Sequence, residues 1–284
     1  MSYQNIARPI MQYLSYFKFP RVLEIGVDNG QTTLPLCHNM SLLDRQWLYE
    51  GVDIRMKANV PAAIASMATI FCPATEPNIP VHPNVIFYEI NSLNFLQDAI
   101  KNKIKYNLIL IDGDHNYFTV QKELELAERI ALPSTLIVCD DYNTRWANED
   151  LYYAESNGYE KNKLATPRQK TSKVGVKAAV DEFVQNSNGK WGLTTGLGNE
   201  PDYCILYQKE TVLDMNVHIP PDTSAVFMAS LEVYFDTSQC PEVNENLLKH
   251  LDYKYERPGP RPNKQGAKYI IGGDVRHEQE NYNG

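Results

Sequence analysis

The 284-residue sequence predicts an α/β fold: a mostly parallel sheet of about seven strands with helices on both faces, followed by a C-terminal appendage. Three observations carry this. Short apolar, β-branched runs alternate with longer segments of helical period, the pattern of strands joined by crossover helices. The strand runs are near-continuously apolar, as expected of a sheet buried on both sides. And the first run ends in a glycine-punctuated turn, VLEIGVDNG (22–30), leading into a helical segment.

Residues 3–18 have helical spacing, with Ile6, Ile10, Tyr13, Leu14 and Phe17 on one side. Strands are predicted at 21–27, 48–54, 84–90, 106–112 and 134–140. Helices are predicted near 31–39, 58–70, 92–102 and 117–131. A further helix, 174–186, precedes strands at 190–196 and 202–209, whose short connection predicts an antiparallel edge hairpin. The domain so described spans 1–210 and the appendage 211–284. Inside the first lies a polar, aperiodic stretch, 143–172, whose length reads as a lid or a disordered loop. The appendage holds an apolar run (225–235), a helical pattern (241–251), a Pro/Gly break and a short strand-like KYIIGG.

Composition narrows the function. Apolar residues make up 43% and charged residues 22%, which suits a folded domain. The net charge of −8, with no block of Lys or Arg, disfavours nucleic acid as a partner. No signal peptide and no apolar run of membrane-spanning length is apparent, so no membrane partner is expected. Five scattered cysteines with no C-x-x-C pair suggest neither disulfides nor zinc, and a reduced, cytoplasmic location is the default.

The glycine turn is the first candidate site. Gly26 permits a sharp reversal at the carboxyl end of the first strand, where open α/β sheets bind ligands. Glu24 precedes it. A carboxylate there suits a cationic or hydroxyl-bearing ligand better than a phosphate, and the middle position of a dinucleotide-type G-x-G-x-x-G is Asp28 here. Asp53, ending the second strand, is placed to accept from both ribose hydroxyls of a nucleoside, and Asn91-Ser92, ending the third, to reach an adenine. The bland alternative is that the glycines only turn the chain and Asp53 only caps a helix.

EIGVDNGQTT (24–33) resembles the first motif of class I S-adenosylmethionine-dependent methyltransferases, and the likeness extends over residues 20–209. It implies a Rossmann-like fold and S-adenosylmethionine as cofactor. By that resemblance Glu24, Gly26 and Asp53 would contact the cofactor; Gly30, Thr32, Asn91, Ser92 and Asp112 are further candidates for binding it.

The second candidate site is acidic. The fourth strand ends in IDGDHNY (111–117) and the fifth in CDDYN (139–143). Neighbouring parallel strands bring Asp112, Asp114, Asp140 and Asp141 to one rim, where four carboxylates repel unless neutralised. A hard cation such as Mg²⁺ does this with oxygen ligands and lowers the pKa of a bound hydroxyl. Helix capping by Asp114 is the structural alternative. These motifs resemble those of metal-dependent sugar O-methyltransferases of antibiotic pathways. That resemblance implies Asp112, Asp140 and Asp141 as Mg²⁺ ligands and Asp114 as base. The more distant catechol enzymes place their base at the position of His115 instead, and the two carry-overs disagree. The expected partner is a small-molecule acceptor, a sugar among the candidates; homo-oligomerisation is left open.

Overall fold

The structure, a computed structural model, describes residues 10–11, 13–15, 17–43, 46–64, 84–195, 202–209, 268–271 and 274–276. Nine strands among them form one sheet in the order β6-β7-β5-β4-β1-β2-β3-β8-β9. They are β1 (Arg21–Ile25), β2 (Leu48–Asp53), β3 (Val85–Glu89), β4 (Tyr106–Ile111), β5 (Ala131–Cys139), β6 (Trp191–Thr194), β7 (Cys204–Gln208), β8 (Lys268–Ile271) and β9 (Asp274–Arg276). Strands β1 to β5 run parallel. β7 joins β5 antiparallel and pairs with β6 as the expected hairpin. This is the Rossmann-like seven-stranded sheet, extended by two further strands. The extension comes from the short KYII run of the appendage, which pairs antiparallel with β3 and covers that otherwise open edge.

Four helices of ordinary length connect the strands: α1 (Thr33–Ser41), α2 (Ser92–Lys101), α3 (Tyr117–Ile130) and α4 (Val176–Asn186). Residues 59–64 are also helical. Strand residues alternate between two layers, as the two-residue pleat period requires. Val22, Tyr49, Phe87, Leu108 and Val138 face one layer, which includes Leu36 and Met40 of α1. Leu23, Ile25, Tyr106, Ile109 and Ile137 face the other, against Phe95, Leu124, Val180 and Phe183 of α2, α3 and α4. The N-terminal segment adds Ile10, Tyr13, Leu14 and Phe17 to the first layer. Most of the predicted helix 3–18 lies outside the described residues, as do the apolar run 225–235 and the helix 241–251.

Within the sheet Arg21 and Glu50 form a buried ion pair, with the Tyr88 and Tyr106 hydroxyls donating to Glu50. The Glu50 carboxylate is thereby engaged within the protein. At the carboxyl ends of the strands the chain leaves β1 toward β2 and β3, then returns to β4 on β1's opposite side. Such a reversal opens a crevice between the loops that follow the strands.

Candidate functional site

A cleft of about 570 Å³ opens at this reversal point. Its wall is built from the ends of four strands: Gly26 after β1, Asp53 ending β2, Asn91 after β3, and Asp112 to Asp114 after β4. Residues 143–172 supply the remaining wall through Tyr153, Tyr159, Ala165 and Thr166.

The glycine turn is fixed by close approach. Gly26 has φ +87°, and a Cβ there would lie 1.9 Å from the Asp112 carbonyl oxygen. Its N–H donates to the Val52 carbonyl at 2.8 Å, while Asp112 N–H donates to the Ile25 carbonyl, also at 2.8 Å. The three strand ends are thus tied around a position only glycine fills. Asp28 stands where relatives of the motif have glycine, and it adopts φ +44°. Asp is among the few residues that tolerate this left-handed region, so the turn keeps its path.

Asp53 holds the same turn. Its Oδ2 accepts from the N–H groups of Val27 and Asp28, both at 2.9 Å, and its Oδ1 accepts from Arg55 N–H at 2.8 Å. Three of roughly four lone-pair directions are taken, leaving Oδ1 one for a ribose hydroxyl. Burial raises its pKa above the ordinary range.

The structure brings together in the cleft Gly26, Asp53, Asn91, Ser92, Asp112 and Asp114. Glu24, Gly30, Thr32 and His115 are not in its lining. The Glu24 carboxylate is turned into the core, where Tyr49 and Thr33 hydroxyls donate to it. Burial lifts its pKa to about 7. Gly30, at φ +75°, packs against Leu34 and Val60, and Thr32 is buried at the start of α1. Strand parity explains Glu24: it shares a face with Val22, and that face packs beneath α1.

The acidic residues divide into two groups. Asp112 and Asp140 are neighbours at the ends of β4 and β5, Asp140 buried and Asp112 half-buried at the cleft wall. Burial, and then the Asp140 carboxylate beside it, pushes the Asp112 pKa well up. Asp141 turns away, with φ +59°, and its Oδ2 lies 2.7 Å from His115 Nδ1. Burial would raise its pKa, but the His115 contact outweighs this and holds the carboxyl below its ordinary range. Among the described residues no three His, Cys, Asp or Glu side chains converge as a metal-holding group. The three-carboxylate set expected from sequence is therefore reduced to a pair. Two adjacent carboxylates still fit a hard divalent cation, because a cation relieves their mutual repulsion.

Asp114 lines the cleft. Its Oδ1 accepts from Tyr153 N–H and its Oδ2 from the Thr119 hydroxyl, both at 3.1 Å. Burial raises its pKa. Each oxygen keeps one lone-pair direction.

The Tyr153 and Tyr159 rings pack at a tilt of 57° with centroids 5.3 Å apart, and the Arg55 guanidinium lies over Tyr159 at 4.4 Å. Arg55 also donates to the Gly158 carbonyl at 2.6 Å, and Asn162 to the Ile54 carbonyl at 2.8 Å. These contacts lay segment 143–172 across the strand ends. Its aperiodic composition announced none of them. Glu123 is fully buried on α3, near Gly113, with only the Ser92 side chain as a polar neighbour close enough to lower its pKa. Its signal was present: it falls on the apolar stripe of Val120, Leu124 and Ala127.

Residues 23–142 match a family model described as a methyltransferase domain. That match, with the glycine turn and the strand order, supports an S-adenosylmethionine-dependent methyltransferase domain in residues 23–142. A comparison with curated proteins found no match. Among solved structures, the chain is similar to CalS11, a TDP-rhamnose 3'-O-methyltransferase of calicheamicin biosynthesis. Identity is 12%, over 72% of this chain and 79% of that one, with a TM-score of 0.47. It is also similar to MycE of the mycinamycin pathway, solved with Mg, SAH and mycinamycin VI, at 14% identity and a TM-score of 0.44. That match covers 77% of this chain and 51% of MycE. An rRNA methylase from Streptococcus thermophilus matches at 10% identity over 71% of this chain and 94% of that one, TM-score 0.38. At such identities and scores the neighbours carry no argument about the acceptor. No helix among the described residues is long and apolar enough to cross a membrane.

Proposed function

We propose that the protein transfers the methyl group of S-adenosylmethionine to a hydroxyl oxygen of a small molecule, a sugar or similar polyol being the best fit. The observation that carries this is Asp114. It is a carboxylate in the cleft wall, its pKa raised by burial, held by Tyr153 and Thr119 yet with lone pairs to spare. A base with a raised pKa is better matched to taking a hydroxyl proton near neutral pH. Asp53 and the glycine turn would hold the nucleoside, and the Tyr153 and Tyr159 rings would exclude water from the reacting atoms. Alignment of oxygen, methyl and sulfur supplies much of the rate in such a transfer. His115 and Asp141, joined by their own contact, would fix the loop after β5 beside the acceptor.

Asp112 and Asp140 would hold Mg²⁺, which when bound would polarise the acceptor hydroxyl and lower its pKa. A metal-independent N- or O-methyltransferase is the second reading, favoured by the engagement of Asp141 with His115.

The test is S-adenosylhomocysteine release over a panel of hydroxylated acceptors, nucleotide sugars included. With a productive acceptor, Asp114→Asn should lower kcat roughly 10²- to 10⁴-fold while leaving S-adenosylhomocysteine affinity within about twofold. An unchanged kcat removes Asp114 as the base.

A further inference from the structure

The sequence places Asn91 and Ser92 within reach of an adenine, but the Asn91 amide has no capacity left. Oδ1 accepts from the N–H groups of Leu93 and Asn94 at 3.1 and 3.3 Å, capping α2. The two Nδ2 protons go to the Leu164 carbonyl at 2.8 Å and the Thr166 hydroxyl oxygen at 3.0 Å. A primary amide offers two donors and two acceptor lone pairs, and all four are used here. Asn91 therefore ties the segment 143–172 to the end of β3 and cannot also read a base.

Thr166 is in the opposite condition. It is 7% exposed, and it lines the cleft. Its oxygen accepts the Asn91 hydrogen bond, which leaves the hydroxyl hydrogen to turn toward another acceptor. Among the described residues that hydrogen has no acceptor. A buried donor left without a partner is costly, and such a group is normally satisfied by a ligand or water. Ile54, Ile90 and Ala165 line the same cleft and offer apolar surface to a flat heteroaromatic ring. Asp53, whose Oδ1 keeps one direction for a ribose hydroxyl, lines it too. A nucleoside held at Asp53 would have its base in this cleft, where the ring nitrogens of adenine are acceptors for a hydroxyl donor.

We infer that Thr166, carried by segment 143–172 and oriented by Asn91, donates the hydrogen bond that recognises an adenine ring nitrogen of the cofactor. This rests on the reading of the cleft as the S-adenosylmethionine site. It makes segment 143–172 part of the nucleoside site itself.

The test is calorimetric titration of the full chain with S-adenosylhomocysteine and with its 1-deaza, 3-deaza and 7-deaza analogues. The proteins are the wild type, Thr166→Val and Thr166→Ser, with thermal melts of each as a control for folding. Thr166→Val keeps the side chain's shape and deletes the donor, so affinity should fall roughly 2- to 12-fold, while Thr166→Ser stays near wild type. One deaza analogue should bind the wild type more weakly by a similar factor and lose nothing further in Thr166→Val. Unchanged affinity in Thr166→Val overturns the inference. So does an equal loss in Thr166→Ser, which would assign the effect to packing, or the absence of coupling with all three analogues. Failure of the wild type to bind S-adenosylhomocysteine at all would instead overturn the nucleoside reading on which the inference stands.

Discussion

Replacing Glu123 with Gln should change how stability depends on pH. The side chain is fully buried on α3. Burial raises its pKa from an ordinary 4.5 to about 8, against a lowering contact with Ser92 and with a smaller push from the Asp114 carboxylate. Below pH 4.5 the carboxyl is protonated whether the chain is folded or not, and titration costs nothing. As pH rises through the window from 4.5 to about 8, the unfolded chain releases its proton while the folded chain retains it. Stability is therefore lost as pH rises, by up to about 1.4 kcal/mol per pH unit, and the loss levels off above pH 8. Between pH 5 and pH 7 the wild type should lose roughly 2–3 kcal/mol on this account. Gln has nearly the same shape and no titration, so Glu123→Gln escapes that loss. Urea unfolding of both proteins at pH 5, 6, 7 and 8 isolates the effect, because every other titrating group cancels in the difference. The advantage of Glu123→Gln should grow by roughly 2–3 kcal/mol from pH 5 to pH 7. Parallel pH profiles for the two proteins would refute the assignment of a raised pKa to this carboxyl.

Two further outcomes follow from the cleft. Gly26→Ala places a Cβ 1.9 Å from the Asp112 carbonyl oxygen at a φ of +87°, so the strand ends must separate and the protein should lose S-adenosylhomocysteine binding together with more than about 3 kcal/mol of stability; a folded, ligand-binding Gly26→Ala in urea unfolding and calorimetry would contradict that geometry. Asp140→Ala should abolish any rise in melting temperature given by Mg²⁺ over EDTA while keeping the rise given by S-adenosylhomocysteine; a Mg²⁺ response of wild-type size would place the cation elsewhere.

The sheet was legible because its cause is local. Near-continuous apolar runs at 48–54, 106–112 and 134–140, alternating with helical segments, point to a parallel sheet covered on both faces. Gly26, Asp53, Asp112 and Asp114 were legible for a related reason: strand ends of a parallel sheet share one rim, so residues there meet whatever the connecting helices do. Glu24 was misplaced in the reading that set it against the ligand. It precedes the turn in sequence, but its parity with Val22 puts it on the α1 face, beneath Tyr49 and Thr33. Asp141 departs from the acidic group because its left-handed backbone directs the carboxylate at His115, a dihedral that composition does not encode. Segment 143–172 was illegible for a third reason. Its fold comes from single long-range contacts, such as Arg55 with Gly158 and Asn91 with Leu164, and not from a repeating pattern. The two strands after residue 267 were visible only as an apolar run, since edge pairing depends on which strand is left uncovered.

The measurement that bears most directly on the account is calorimetric titration of the wild-type chain and of Asp53→Ala with S-adenosylhomocysteine and with NAD. The account predicts one S-adenosylhomocysteine per chain, binding at least about tenfold weaker to Asp53→Ala because the turn and the ribose contact are lost together, and no heat with NAD. Binding of NAD in place of S-adenosylhomocysteine, or S-adenosylhomocysteine binding untouched by Asp53→Ala, would contradict it.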